Sequence, residues 1–540
     1  MFDNEPGQSK EHPHPFPPDR SGDQRSPFIA NRRRPKSLGK CATALRPLIP
    51  SPIGWERVRA SFLKAGFLVS DQSAPPRHLG GYAALAALAL LLCASGCVRF
   101  EPKPLSASDN ATALENRTLD NPALKPFIET NLHRSFDSWP PPSWDFEMLN
   151  QAAFYYHPDL ELARKQWETA EAGIKTAATR PNPTLTAQPG YNFNHINAGE
   201  GLSPWIPVAN LDVPLETAGK RKKRIAEATN IAETARLNII ATAWTVRSAL
   251  RVSLLDLTAA AQRQELLQKQ LSIQQQIVKL MEGQVQAGAL ASSELATFRI
   301  ALVKARFDLA DAQLQEVQAR ARVAEAIGIR TKALGASKIS YDFLNDPGAG
   351  TNLTSAEVRH NALLGRADIL EALSDYAASE ATLRLEIARQ YPDVHLNPTY
   401  QWDQGDNIWS LGITFELPIF NRNQGPIAAA KAKREEAVAR FNALQAKILA
   451  QIDGAVESYQ VTEKNLAILQ TFVEEQAKNR DAVAGQLKAG AVAPLDLLNA
   501  QFEYAVAEAG QLDGRLKHQQ ALAALEDAVQ RPIETMKLTQ

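Results

Sequence analysis

Two stretches of the chain alternate apolar and polar residues with a period of two, at 394–402 and 409–417. Such a pattern places one apolar and one polar face on a strand. A half-buried sheet of a soluble protein would alternate in the same way. Each stretch, however, has the roughly ten residues of a tilted membrane-spanning strand. The apolar face, aromatic at its ends, comprises Val394, Leu396, Tyr400, Trp402, Trp409, Leu411, Ile413, Phe415 and Leu417.

Helical patterns over 220–286 and 425–488 predict two helices of exceptional length. Each would extend about 100 Å at about 1.5 Å per residue. Two apolar stripes run side by side along the first helix, so it needs two neighbouring helices, as in a wall rather than a pair. The stripes are Leu266, Ile273, Ile277 and Leu280, and Leu267, Leu271, Val278 and Met281.

These patterns belong to an internal repeat. A helix (150–180; 355–389), two strands, a long helix, a Gly-Ala turn and a last helix occur twice. Six residues recur at an offset of about 209 positions. They are Asp159, Glu171, Arg180, Pro183, Pro189 and Tyr191, which recur as Asp368, Glu380, Arg389, Pro392, Pro398 and Tyr400. We therefore predict a first repeat at 146–345 and a second repeat at 354–533, joined by "NDPGAGTN".

Four predicted strands are too few to close a membrane barrel, which needs about eight. Open strand edges are not tolerated in lipid, so several copies must pool their strands. Three copies and twelve strands are the simplest solution. The predicted fold class is mainly α with β, an α-barrel continuing a transmembrane β-barrel in a homotrimer. Pro214 and Pro418, where the strands give way to helices, are predicted to mark the inner membrane surface.

The region before the repeats divides into three predicted parts. Residues 1–76 are rich in Pro and Arg and are expected to be disordered or to precede the true start. Residues 77–97 contain an apolar run too short to span a bilayer, and "ASGC" resembles a lipoprotein cleavage box. Cys97 would then be the lipidation site, or it would close an uncleaved anchor. Residues 98–145, with "SWPPPSW", are expected to be an extended linker.

Composition narrows the function classes. The 59 basic residues balance the 59 acidic ones, which argues against a nucleic-acid partner. All three Cys precede residue 100, so the body has no disulfide framework and no cysteine metal site. His157, His195 and His395 are isolated, and no catalytic or phosphate-binding motif occurs at a sensible place. We predict no metal site, no cofactor and no enzyme.

The duplicated plan, with "YYHPDLELARKQW", "LPIFNRNQGPIAAAKA" and "AGAVAPLDLLNAQFEYAVAEA", resembles the TolC-like outer-membrane efflux factors. Within them it is similar to the lipoprotein channels of heavy-metal cation export. The resemblance covers 146–533. It implies a trimeric passive conduit from periplasm to exterior, anchored in the outer membrane, that docks to a periplasmic adaptor and an inner-membrane efflux pump.

Two alternatives stay open. A channel for drugs or polypeptides would share this architecture entirely, and only the pump that it serves would separate the two functions. A lipid-anchored periplasmic adaptor would also be rich in helical hairpins. Against an adaptor stand the duplicated alternating strands, because an adaptor needs soluble β domains and a single hairpin.

The resemblance places two groups of functional residues at the helix tips. Gly288, Ala289, Gly490 and Ala491 lie where the family's tips meet the adaptor, although a plain turn would also use glycine for its positive φ. Asp496 matches the family's pore-constriction aspartate, while the second such position is Asn499. A ring of three carboxylates would favour cations. Alternatively, Asp496 follows Pro494 in a first helical turn and suits the helix dipole.

A basic cluster, Lys220, Arg221, Lys222, Lys223 and Arg224, begins the first long helix. Positive charge at a helix N-terminus opposes the helix dipole and calls for compensation. Head groups of outer-membrane lipid at the barrel base are the expected partners. A solvated charged turn is the alternative.

Overall fold

A computed structural model describes residues 99–193, 203–335, 337–341, 355–403 and 405–532. Residues from Lys103 onward form one compact unit. The predicted extension, the signal peptide with Cys97 and the joining segment "NDPGAGTN" lie outside the described residues.

The elements follow the predicted repeat. Up to Leu334 they are α1 (Ala107–Glu115), α2 (Leu124–Leu132), α3 (Phe146–Tyr156), α4 (Pro158–Ala178), β1 (Thr184–Gln188), β2 (Val208–Leu215), α5 (Lys220–Gln286), α6 (Ser292–Ile327) and α7 (Thr331–Leu334). The second repeat has α8 (Ser355–Gly365), α9 (Ala367–Ala388), β3 (Val394–Asp403), β4 (Asp406–Phe415), α10 (Gln424–Lys488) and α11 (Pro494–Val529). The two long helices, α5 and α10, have 67 and 65 residues, which confirms their prediction.

The prediction of an extended linker over 98–145 is wrong. This segment contains α1 and α2, and Leu119, Leu124 and Ile128 are fully buried in the core of the first repeat. Trp144 is 1% exposed, and its N–H donates to the carbonyl of Lys338 at 2.8 Å. The polar and Pro-rich segment contains a few large apolar residues that pack in one buried cluster with residues of α3 and α6.

Each predicted first helix is two helices in the structure. The breaks fall at His157 and Arg366, whose backbones are extended with ψ of 125° and 135°. In the first repeat Pro158 follows the break, and proline supplies no N–H for a continuing helix. In the second repeat the N–H of Ala367 instead donates to the side chain of Gln530 at 2.8 Å.

The four strands form one antiparallel sheet in the order β1-β2-β3-β4. Tyr400 lies opposite Trp409, and Leu396 lies between Val213 and Ile413. This register confirms the predicted apolar face and continues it onto β2. β3 and β4 have ten residues each, as predicted, whereas the strands of the first repeat are shorter, with five and eight residues.

The long helices pack side by side. α5 contacts α4, α6, α9 and α11, while α10 contacts α8, α9 and α11. The pairing of α5 with α9 and α11 joins the first repeat to the second. In the described part of the chain, no helix contains a stretch long and apolar enough to cross a membrane.

Candidate functional sites

The two helix tips have the same geometry. Gly288 and Gly490 both have φ of 74°, and a Cβ at either position would meet nothing within 4 Å. The N–H of Ala289 donates to Gln284 O at 2.8 Å, and that of Ala491 donates to Gln486 O at 2.9 Å. Each tip is therefore a helix C-cap that uses glycine for its positive φ. Contact with an adaptor stays a prediction.

Apolar contacts hold the two tips together. Ile277, Met281 and Leu295 of the first hairpin are buried, and Leu495 and Leu498 at the start of α11 pack on them. A groove of about 540 Å³ runs between α5 and the start of α11. The tips therefore form one continuous surface within a single chain.

Asp496 has a local role that the structure shows directly. Its Oδ2 accepts the N–H of Ala493 at 2.9 Å and so caps the N-terminus of α11. Asp496 and Asn499 are both exposed and lie on neighbouring turns of one face. The capping bond agrees with the helix-terminus interpretation, whereas the pore-constriction role of Asp496 and Asn499 stays a prediction.

Protein groups compensate most of the basic cluster. Lys220 Nζ lies 2.8 Å from Asp393 Oδ1, and Arg221 Nε donates to Ala178 O at 2.7 Å. Lys223 Nζ donates to Ala218 O at 2.8 Å. Arg224 pairs with Glu216 and donates to Thr179 O at 3.2 Å. Lipid head groups are therefore not needed to balance these four cations, and head-group contact stays a prediction for the exposed Lys222.

Asp393 shows how tightly this junction is built. Burial alone would raise the pKa of its carboxyl, but hydrogen bonds from Lys220 and from the N–H of Thr217 outweigh it and hold the pKa below its ordinary value. The C-terminal carbonyls of α4 accept from Arg221 and Arg224, which also suits the dipole of that helix. Basic residues of one helix thus complete the end of another.

The chain does not turn at the predicted prolines. Pro214 lies inside β2, opposite His395, because the fixed φ of proline is compatible with an extended strand. The reversal occurs at Ala218 and Gly219, with φ of 53° and 67°. In the second repeat Asn423 has φ of 60°, five residues beyond Pro418. Positions at the membrane surface remain a prediction for both prolines.

A polar pocket of about 490 Å³ lies on the polar face of the sheet near this junction. Its lining includes Asp212, Asp393 and Glu416, and His395 Nδ1 lies 2.9 Å from Asp212 Oδ1. His395 is isolated in the sequence, yet β2 and β3 bring Asp212 beside it from 183 residues away. Among the described residues no group of three or more His, Cys, Asp or Glu could hold a metal ion.

A buried polar network joins the repeats, and sequence reasoning missed it. Asp527 accepts from Trp244 Nε1 at 3.0 Å and from the hydroxyl of Ser248, while Arg251 pairs with Glu526. Burial raises the pKa of the Asp527 carboxyl and lowers that of the Arg251 guanidinium. Buried pairs between distant helices leave no periodic signal in a sequence, so pattern analysis could not have found them.

Comparison with known proteins defines the class. A family model described as outer membrane efflux protein matches residues 149–329 and 358–529, one segment in each repeat. The chain belongs to this family. It is an outer-membrane efflux channel from a family of channels rather than enzymes, and the alternative of a periplasmic adaptor is therefore wrong.

Individual relatives are more distant. The chain is 24% identical over 348 residues to the cobalt-zinc-cadmium resistance protein CzcC of Cupriavidus metallidurans, covering 64% of this chain and 79% of that protein. Among solved structures, CusC has 17% identity and a TM-score of 0.56, covering 80% of this chain and 99% of CusC. VceC of Vibrio cholerae has 19% identity and a TM-score of 0.58, covering 71% and 95%. These structures show a shared fold.

Proposed function

We propose that this chain is the outer-membrane conduit of a tripartite system that exports heavy-metal cations. The similarity to CzcC carries the cargo assignment, because that relative is named for resistance to cobalt, zinc and cadmium. The protein acts as a passive channel: the pump supplies the energy, and the channel supplies a path across the outer membrane. A conduit should not hold its cargo tightly, so sparse metal ligands are compatible with this role.

Homotrimer formation is supported by helix flanks that lack a helix partner among the described residues of one chain. In the second repeat α9 lies against both α5 and α10, whereas its counterpart α4 has α5 as its only long-helix neighbour among the described residues. Repetition of the same arrangement places α4 of one copy against α10 of the next. Likewise α11 lies against both α5 and α10, whereas its counterpart α6 has α5 as its only long-helix neighbour among the described residues, so α6 would also face α10 of another copy. Both helices carry exposed apolar side chains. Large exposed residues on α6 are Ile300, Val303, Phe307, Leu314 and Val317, and on α10 they are Val461, Ile468 and Phe472.

The sheet argues for the same assembly. β1 and β4 are its edges, and each has one strand partner within the described chain. Leu185, Trp409, Leu411 and Ile413 are largely exposed on its apolar face. Pooled strands from three copies would remove both edges, as a membrane requires. The adaptor then contacts the tips at Gly288, Ala289, Gly490 and Ala491, and acylation of Cys97 anchors the chain to the membrane.

Metal and drug tolerance of a deletion strain tests the proposal. The strain would carry an empty vector, the wild-type gene or the Asp496→Ala variant, with equal amounts of protein in the outer membrane. We expect sensitivity to Co²⁺, Zn²⁺ and Cu²⁺ without the gene and tolerance with it. If dyes and detergents become toxic while metals do not, the channel serves drugs and the cargo assignment is wrong.

A further inference from the structure

Equivalent positions at the two sheet-to-helix junctions hold charged residues in the first repeat and apolar residues in the second. The turn residues Gly219 and Asn423 both begin a long helix with positive φ, so the junctions align at an offset of 204 residues. At this offset Glu216 corresponds to Phe420 and Arg224 to Ala428. An ion pair of the first repeat is thus replaced by two apolar residues in the second.

The replacement opens a groove. Where Glu216 and Arg224 fill the first junction, the second has a groove of about 720 Å³ between the end of α9 and the start of α10. Phe420 is 96% exposed, and Ile419 is 65% exposed beside it. The groove is lined by Ile387, Gln390, Ile419, Phe420, Arg422, Gln424, Ile427, Ala428 and Lys431. None of these described lining residues is acidic, and two are basic.

The groove continues the apolar face of the sheet. The exposed apolar positions 409, 411, 413 and 415 of β4 are followed at the same spacing by Leu417 and Ile419. Along the chain, the groove therefore follows directly after the face proposed to contact lipid tails. Arg422 and Lys431 stand at the point where that surface ends.

A second copy of the chain is a less suitable occupant. In the first repeat the corresponding space is filled by residues of that same repeat, since Arg224 contacts Glu216 and the carbonyl of Thr179. Contact with the following repeat is made instead by Thr217, Lys220 and Glu227, which bond to Pro392 O, Asp393 and the hydroxyl of Thr382 at 2.6, 2.8 and 2.6 Å. By the same geometry the next copy would meet Asn421, Gln424 and one side of Lys431, and it would leave Ile419 and Phe420 uncovered.

We propose that this groove binds one phospholipid of the periplasmic leaflet. Its phosphate lies between Arg422 and Lys431, and its acyl chains lie over Phe420 and Ile419. An apolar surface beside paired cations matches the two halves of an anionic lipid. The inference rests on the proposed orientation of the channel in the outer membrane, but not on the identity of its cargo.

Native mass spectrometry of the full-length protein in detergent, titrated with phosphatidylglycerol, tests this site. The R422Q/K431Q variant should bind the lipid about 25-fold more weakly, because each basic side chain contributes about fivefold toward an anionic lipid. K433Q/K464Q removes two exposed cations of α10 outside the groove and should bind like wild type. Equal binding by all three proteins would overturn the proposal.

A second variant separates lipid binding from assembly. F420E/A428R rebuilds the Glu216–Arg224 pair of the first repeat in the second, and it should remain an oligomer of wild-type mass without the tightly bound lipid. If it dissociates while lipid is retained, the groove is a contact between copies and the proposal is wrong. Inorganic phosphate at the same concentrations should neither bind nor compete.

The lipid-binding measurements do not depend on transport, so their results can be compared with metal tolerance in cells. Lipid loss in R422Q/K431Q with normal metal tolerance would leave both proposals standing. Retained lipid with normal metal tolerance would overturn only the lipid site. Tight lipid binding by a protein that confers no metal tolerance would overturn only the cargo assignment.

Discussion

At the end of α6 in the first repeat, the guanidinium of Arg117, from a segment that precedes the repeat, donates to the carbonyl of the C-cap residue Gly328 at 3.5 Å. It also donates to the carbonyl of Tyr156, at the end of α3, at 2.6 Å. At the end of α11 in the second repeat, Arg366 donates to Ala528 O at 2.7 Å from within the repeat itself. The same exposed helix end is thus completed by two unrelated arginines. Duplication preserves the positions of helices and strands, while the groups that satisfy their ends diverge.

The cores differ accordingly. The first repeat buries a large cluster that includes Trp144 and Leu119 from the preceding segment. The cluster of the second repeat is smaller and is built largely on α10 and α11, around Ile448 and Ile452. The stability of the first repeat therefore depends on residues outside it. That of the second repeat depends on the ion pair between the buried Arg366 and Asp368.

The largest expected effect tests whether the core of the first repeat depends on the segment that precedes it. Trp144→Ala should lower the free energy of unfolding by about 3–5 kcal/mol, because it leaves a cavity under α3. The control Leu114→Ala changes a half-exposed residue of the same segment and should stay within about 0.5 kcal/mol. Thermal melting of the purified proteins would compare them, and similar melting temperatures for both variants would show that this segment is only a linker.

The next largest effects on the free energy of unfolding are expected at the two arginines that bond to helix ends, Arg366 and Arg117. Arg366 is buried and binds Asp368 through two nitrogens, at 2.7 and 3.0 Å, so Arg366→Met should cost about 3 kcal/mol or more. Arg117→Met removes hydrogen bonds from a less buried side chain and should cost about 1–2 kcal/mol. Chemical denaturation would rank them. An equal or reversed order contradicts the comparison.

Replacing the glycine of either helix tip should destabilise the protein by the same amount. Gly288→Ala and Gly490→Ala each force an L-residue into φ of 74° and should each cost about 1–2 kcal/mol. Because both sites are open, the two melting temperatures should fall by the same amount. If efflux then differs between the variants in cells with equal protein levels, the difference reports unequal use of the two tips by the adaptor.

Asp496 allows its charge to be separated from its cap. Asp496→Asn keeps an oxygen that can accept the N–H of Ala493, while Asp496→Ala loses it and should cost about 1 kcal/mol. If Asp496 lines the constriction, both variants lose cation preference equally in single-channel recordings. Unchanged selectivity in both variants would leave the cap as its only role.

The smallest effect concerns His518, which the second repeat buries between α11 and α10, whereas the aligned position of the first repeat holds Glu316. Burial lowers the pKa of His518 below its ordinary 6.5, despite the nearby Glu463. The folded state then binds this proton more weakly than the unfolded state, so stability is full above about pH 6.5 and falls as pH decreases below it. His518→Gln should reduce the loss of melting temperature between pH 7 and pH 5. An identical pH dependence in the variant would exclude His518 as its source.

The periodicity of apolar residues predicted most of the helices and strands. The alternation at 394–402 predicted β3, and the two apolar stripes of α5 predicted neighbours on two sides, which α4, α9, α6 and α11 provide. Prediction failed where few residues carried the signal. The segment around Leu119 and Trp144 has too little apolar sequence to show a period, yet both side chains are buried.

The sequence by itself determined the duplication, the lengths of α5 and α10 and the glycine-dependent tips, because these depend on local spacing and on the backbone freedom of single residues. Only the tertiary structure decided what the charges do. It paired Lys220 with Asp393, His395 with Asp212 and Arg251 with Glu526 across separations of 173, 183 and 275 residues. Such pairs form because polar and charged groups that are wholly or partly removed from water require partners, and the packing of distant elements, which no local pattern encodes, selects which partner is in reach.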